Sequence, residues 1–391
     1  MTESSLSDLK IHFSELPDPR AQHSIEHLLI DIVMITICAV ICGAESWVDV
    51  ENYGVAKQQW LATFLDLPNG IASHDTFERV FARLRPEALQ QCFLNWVQAV
   101  FEISGGKLVA VDGKTLRGSY ERGGKHGMIH MVSAWAVQHR LVLGQRKVNE
   151  KSNEIKAIPE LLAVLDLEGA TVSIDAMGCQ TAIAQQIVEQ QGDYVLALKG
   201  NQGNLFEDVV QLFDHARQQR FRGIKHDCYE TQDQAHGRKE VRRYWVMGQT
   251  EHLIGAENWA KLTTIGCVEA ERQIEGKTTC ERRYYLLSLP LDAWRFAQSV
   301  RGHWGIENQL HWMLDVGFRE DQARSTLGYS GENLAVIRHL ALNLLTRKVS
   351  KGRHPCQAAQ GRLGRQLSVQ CVSSVFQNDS SIMKKRVRSP Y

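Results

Sequence analysis

The chain has 391 residues, 45 Lys+Arg against 44 Asp+Glu, 43% hydrophobic and 23% charged, which excludes a mostly disordered chain and leaves room for two or three domains. Nine cysteines, odd in number and without a C-x-x-C pair, predict neither a disulfide framework nor a zinc finger; with no secretory signal at the N-terminus, a reduced cytoplasmic protein is expected. The net charge of +1 hides a basic end, because residues 346–391 hold ten Lys/Arg against a single acid, Asp379.

Residues 1–103 read as an all-α N-terminal domain. Its most apolar run, 28–42, is interrupted by Asp31 and is shorter than the roughly 20 residues a membrane span needs, so it predicts a buried core helix and no membrane partner. An amphipathic stretch follows at 48–64. Ser73 is placed to cap a helix through Phe77, Val80, Phe81 and Leu84, and Pro86 opens another whose stripe is Phe93, Trp96, Val97, Val100 and Phe101. Ser104-Gly105-Gly106 breaks the pattern and marks a boundary.

The texture then changes. Short apolar runs at 107–112, 130–137, 140–148, 170–175 and 193–198 predict strands. A Gly-rich turn at 118–127 separates the first two, and helical spacing fills 155–167, with Pro159 in its first turn, and 181–190. The order β-β-β-α-β-α-β describes a mixed α/β sheet with helices against it. After an amphipathic helix at 204–220, residues 225–290 return to β texture (241–247, 262–269, 282–289) and read as a β-rich insertion. Helices at 293–316 and 332–346 close a second domain, 104–346. The basic tail, 347–391, has little apolar periodicity.

Asp112 and Asp175 each end an apolar run and precede turn-forming residues. Ligands of open α/β sheets gather at the carboxyl ends of strands. If the two strands are neighbours, two carboxylates about 4 Å apart repel by roughly 4 kcal/mol at an effective dielectric of 20. Such a pair holds a proton or shares a cation, and oxygen-only ligation selects magnesium or manganese over zinc. The plainer alternative is that each Asp simply starts a turn.

A late segment adds weight. His303, Glu307, His311 and Asp315 recur every four residues and so share one helical face, with Trp304 and Trp312 beside it. Buried ionisable groups must be paired or metal-bound, so this stripe predicts either a site or an internal ion pair with Arg301 or Arg319. Two apparent motifs fail. Gly113-Lys114-Thr115 resembles the end of a phosphate-binding loop, but Leu108 stands where that loop needs glycine, and the zinc-binding H-E-x-x-H spacing is absent.

Longer motifs then carry a resemblance: V-A-V-D-G-K-T-L-R-G-S (109–119), S-I-D-A-M-G-C-Q (173–180), A-L-K-G-N-Q (197–202), H-G-R-K-E-V-R (236–242) and the stretch from Arg301 to Asp321, with F-S-E-L-P-D-P-R (13–20) and S-H-D-T-F-E-R-V-F (73–81) before them. Over roughly residues 10–346 the chain resembles the H-repeat-associated members of the bacterial DDE insertion-sequence transposases. The resemblance implies a ribonuclease-H-like catalytic core with Asp112, Asp175 and Glu307 as the triad, holding two Mg2+ or Mn2+ ions for in-line phosphodiester displacement. Asn308, His303 and Asp315 are expected to orient Glu307. Lys114, Arg117, Arg238 and Arg242 are expected to contact DNA phosphates. DNA is the implied partner, with a homodimer when assembled on it.

The sequence also departs from that pattern. Related transposases carry Y-x-x-R-x-x-x-E-x-x-x-x-x-x-K around the third acid; here Val300, His303 and Leu314 stand at the Tyr, Arg and Lys positions, so those Arg and Lys roles lack owners. The stretch beyond Lys348 does not resemble the family's ending. The leading expectation is a transposase or an immobile relative. A ribonuclease-H-like endonuclease without strand transfer and a catalytically silent DNA-binding derivative are the alternatives.

Overall fold

A computed structural model describes residues 3–100, 108–116, 129–148, 154–235, 238–275, 277–323 and 325–350. The Gly-rich turn at 118–127, Arg117 and the tail beyond 350 lie outside them. The chain forms two compact units: one contains Met1–Val97, Leu116–Met128 and Trp312–Tyr391, the other Gln98–Thr115 and Ile129–His311.

The first unit is helical where described: α1 (Glu3–Phe13), α2 (Leu29–Ile41), α3 (Trp47–Leu61), α4 (His74–Arg83), most of α5 (Pro86–Val100), and the late α10 (Trp312–Gly317) and α11 (Ser330–Ser350). The apolar run at 28–42 becomes α2, buried from Ile32 through Val40, and no described helix is long and apolar enough to cross a membrane. Asp31, the charge inside that run, is buried; its Oδ2 accepts the Leu67 backbone N–H at 3.0 Å. Ser46 and Asp49 close a capping box at the start of α3. Ser73 precedes α4 as expected but makes no side-chain cap; its hydroxyl lies 3.2 Å from Thr76 Oγ1, and Glu51 accepts the His74 N–H instead.

The sequence reading keeps the last helix with the 104–346 segment; in the structure α11 packs on α2 and α4. Asn333, fully buried, explains the attachment. Its side-chain amide donates to the carbonyls of Phe81 (2.8 Å) and Leu84 (2.9 Å), while the Tyr329 N–H donates to Ala82 (3.0 Å). The carbonyls that α4 leaves unpaired at its end are thus met by the start of α11. Gly328 takes a left-handed φ of 52° there, and a β-carbon on it would overlap the Ala82 carbonyl.

The second unit is built on one nine-stranded sheet: β1 (Leu108–Leu116), β2 (Ile129–Ala136), β3 (Leu141–Val148), β4 (Thr171–Ile174), β5 (Asp193–Leu198), β6 (His226–Ala235), β7 (Arg238–Met247), β8 (Thr264–Ile274) and β9 (Lys277–Leu287), in the spatial order β3-β2-β1-β4-β5-β9-β8-β7-β6. Strands β1, β4 and β5 run parallel. The helices α6 (Glu154–Leu162) and α7 (Thr181–Glu189) occupy the β3–β4 and β4–β5 connections, and Pro159 lies inside α6 rather than in its first turn.

The stretch 225–290 proves to be a continuation of the main sheet. After α8 (Asn204–Gln218), the chain adds four antiparallel strands, with β9 paired to β5. One of them, β6, carries little hydropathy signal, since His226-Asp-Cys-Tyr-Glu-Thr-Gln-Asp-Gln-Ala is mostly polar. It is the outermost strand, where polar and charged side chains discourage further pairing. Helix α9 (Ala293–Gly305) then lies across the sheet, its Phe296, Ala297 and Val300 packed with Val195, Tyr244, Val268, Tyr285 and Leu287.

Candidate functional site

Parallel register brings the two aspartates side by side. Val111 and Ile174 are Cα partners on β1 and β4, so Asp112 and Asp175 follow as neighbours one step further on. The strands differ in what comes next. β4 stops at Ile174 and Asp175 shapes a turn, its Oδ1 accepting the N–H groups of Met177 (3.1 Å) and Gly178 (3.2 Å). β1, expected to end at Asp112, continues to Leu116. Gly113, expected as a turn residue, is needed for space: a β-carbon there would overlap Glu154 and His130.

Cross-strand partners share a face of a sheet, and the face repeats every second residue. Ser173 is opposite Val195, and Val195 is opposite Leu287; both apolar partners belong to the core beneath α9. Ser173 therefore lies on the α9 face, and its hydroxyl is 3.1 Å from His303 Nδ1. Gly302 makes the approach possible, because a β-carbon there would overlap Leu108 Cδ2 and sit 3.1 Å from Val137.

Beyond Gly305 the α-helix gives way to a π turn, Ile306–His311, which carries Glu307. Residues recurring every four positions share a stripe only in an α-helix, and the wider turn breaks it. His303 and His311 are half-buried, whereas Glu307 and Asn308 are exposed. The buried polar stripe expected from the spacing is therefore corrected: the π turn rotates its members apart, and Trp312 is 45% exposed. Asp315 falls on α10, in the other unit.

Asp112 feels the charge of other acids. Burial raises the Asp112 carboxyl; the Gly113 N–H opposes the rise, and the negative charges of Asp175, Glu307 and Glu154 add to it, leaving a pKa of about 7. His311 Nδ1 stands 3.8 Å from Asp112 Oδ2. Burial lowers the His303 pKa, against the field of Asp175. No three His, Cys, Asp or Glu side chains among the described residues stand in metal-holding geometry. The chemistry of the donor set, carboxylate oxygens, suits a hard divalent cation.

The expected phosphate contacts are placed unevenly. Lys114 is half-buried on the outer part of β1. Arg238 and Arg242 both pair with Glu240, a carboxylate only 1% exposed, and Arg242 also meets Asp233 at 3.0 Å. Arg272 joins the same carboxylate at 3.0 Å. The buried Arg242 guanidinium thus belongs to the ion pairs of the sheet, which corrects its expected place on a DNA-facing surface.

Sequence reasoning missed two groups. Glu154 opens α6 and bonds His130, whose other ring nitrogen is 2.7 Å from Thr115 Oγ1. Neither spacing nor hydropathy links these residues; only the fold does. Arg283, on β9, places its guanidinium over the Trp304 ring, 4.9 Å from the centroid.

Comparisons with known proteins give the chain's family. The family described as "Transposase DDE domain" matches residues 103–344, and the family described as "DDE_Tnp_1-associated" matches residues 10–97. H repeat-associated YhhI of Escherichia coli (strain K12) is 41% identical over 351 residues, covering 87% of this chain and 91% of its own length. YncI of Escherichia coli O157:H7 is 41% identical over 345 residues, covering 87% and 88%. Both carry the word transposase in their names. The short YbfQ of Escherichia coli (strain K12), 44% identical over 78 residues, covers 20% of this chain and 93% of its own length, and is named an inactive transposase. Among solved structures, a piggyBac transposase synaptic complex with hairpin DNA aligns with 98% of this chain and 81% of its own at 11% identity and a TM-score of 0.40, a likeness too distant to carry an argument.

Proposed function

The chain belongs to the DDE-domain transposase family, and from that premise we propose that it cleaves and joins DNA strands at the ends of an insertion element, using divalent metal on a ribonuclease-H-like core. Asp112, Asp175 and Glu307 are the acids of the reaction. The observation that carries this reading is strand register, which sets Asp175 beside Asp112 at the ends of two parallel apolar runs; burial above all raises the Asp112 carboxyl, and the charges of Asp175 and Glu307 add to it.

These three side chains would hold Mg2+ or Mn2+. Such ions would supply Lewis-acid charge stabilisation for the attacking and leaving oxygens of an in-line displacement. The rest belongs to the protein. Strands β1 and β4 fix the two aspartates on a rigid sheet. Gly302 and the His303–Ser173 contact hold α9 against that sheet. The π turn frees Glu307 from the α-helical stripe and presents it at the surface with Asn308 beside it. Lys114 and the exposed part of Arg238 supply cations for DNA phosphates, and a second copy of the chain completes the assembly on DNA.

The test is nicking of supercoiled plasmid in Mn2+, together with joining of a labelled element end to target DNA. Asp112→Asn and Glu307→Gln are expected to abolish both reactions while leaving DNA affinity intact. Cuts without joining would make the protein an endonuclease. Binding without cuts in the unaltered chain would make it a silent derivative. Undiminished nicking by either variant would remove that acid from the mechanism.

A further inference from the structure

We propose that Arg283 holds a backbone phosphate of bound DNA at the Glu307 edge of the site; this rests on the functional reading above and deepens it. The residue comes from β9, one of the strands that continue the sheet beyond β5. Tyr285 on that strand packs edge-on against Phe296 of α9, with ring centroids 5.2 Å apart. Two-residue alternation therefore turns Arg283 toward α9 as well.

Two contacts fix the guanidinium there. Its Cζ lies over Trp304, three residues before Glu307, at 4.9 Å from the ring centroid, and its Nε donates to Glu281 Oε1 at 2.8 Å. Burial works against its charge, but the Glu281 bond and the fields of Glu281 and Glu307 outweigh that and raise its pKa. The side chain is a cation at every working pH.

Its neighbours are engaged differently. Arg243 meets Glu230, Glu269 and Glu271, and Arg242 meets Glu240 and Asp233. Arg283 meets one carboxylate, through Nε, so among the described residues its two Nη groups donate to no other side chain. An arginine set over an indole with its outer fork open matches two oxygens of a phosphate. A cluster of carboxylates repels DNA, and a fixed cation beside the outermost acid offsets that repulsion where the backbone must approach.

The experiment uses the full chain and a fluorescein-labelled 40-base-pair duplex, with affinity measured across a salt series. Each phosphate contact contributes about 0.9 to the slope of log affinity against log salt. Arg283→Ala is expected to lower that slope by about one contact and to weaken binding by roughly tenfold at moderate salt. Trp304→Leu is expected to weaken binding several-fold, because the guanidinium loses its platform. Mn2+ binding by the metal-free protein, followed calorimetrically, is expected to persist in both variants. Arg283→Gln provides the same reading if the alanine variant melts early. A native salt slope in both Arg283 variants overturns the proposal. That result is separable from failure of the functional reading, which shows as nicking that survives Asp112→Asn or Glu307→Gln whatever the slope does.

Discussion

Gly302 and Leu108 touch where α9 crosses the sheet, and there is no room between them for a β-carbon on the glycine. Helix α9 carries His303 and leads into the turn bearing Glu307, so under the proposed function this contact is expected to set how closely Glu307 approaches the two aspartates. Gly302→Ala is expected to destabilise the protein by about 1–3 kcal/mol through overpacking. It is also expected to slow Mn2+-dependent nicking, because α9 is pushed off β1. Leu108→Ala in the same chain should restore part of both losses. Thermal melts and nicking rates on the double-mutant cycle check this; strictly additive effects would refute the contact.

Asp112 destabilises the metal-free protein when ionised. Its carboxyl titrates near 7 in the folded chain against 3.8 ordinarily. A raised carboxylate pKa means the folded state resists the charge, so this cost is absent below about pH 4, grows as pH rises, and is complete above 7. Three units correspond to on the order of 4 kcal/mol at most. Asp112→Asn is therefore expected to raise the melting temperature by several degrees at pH 8 and hardly at all at pH 4. Equal melting temperatures at pH 8 would contradict it.

Cation binding at the same place should depend on pH. A carboxyl protonated near neutrality must lose its proton to serve as a ligand, so Mn2+ affinity is expected to strengthen between pH 6 and 8. Calorimetry in two buffers of different ionisation enthalpy would register the released proton. Asp112→Asn should bind more weakly and lose the pH dependence over that interval. A pH-independent affinity in the unaltered chain would sink the expectation.

Asn333 joins the end of α4 to the start of α11. Its amide serves two carbonyls, at 2.8 and 2.9 Å, in a fully buried place. Asn333→Ala leaves both carbonyls unsatisfied, at a cost of about 1–3 kcal/mol or more. Hydrogen exchange is expected to rise in 74–84 and 330–346 before it rises in the sheet. Unchanged protection there would show that the helices are held by apolar packing alone.

Much of the second unit was legible because apolar periodicity survives in short runs. The strands around Val109–Val111 and Val172–Ile174, and the amphipathic α8, follow from residue pattern. So did the candidates Asp112 and Asp175, since each follows an unbroken apolar run. The polar β6 was not legible, because an edge strand is half solvated and needs no alternation. The π turn escaped as well: a helical pattern assigns every residue the same rotation, and nothing in Ile-Glu-Asn-Gln-Leu-His announces the wider turn. Asn333 looked like one more polar residue in a helix, because its partners lie some 250 positions away.

The amino-acid sequence alone determined the family, the helical beginning, the mixed sheet and the three acids as candidates, because local hydrophobic pattern and long motifs are written in consecutive residues. Tertiary structure decided which charges meet. It set Asp112 beside Asp175 through strand register, exposed Asp112 to the charges of Glu307 and Glu154, turned Arg242 into the ion pairs of the sheet and delivered Arg283 to Trp304. Charge interactions depend on distance through space, and distances between residues more than a hundred positions apart exist only once the chain has folded.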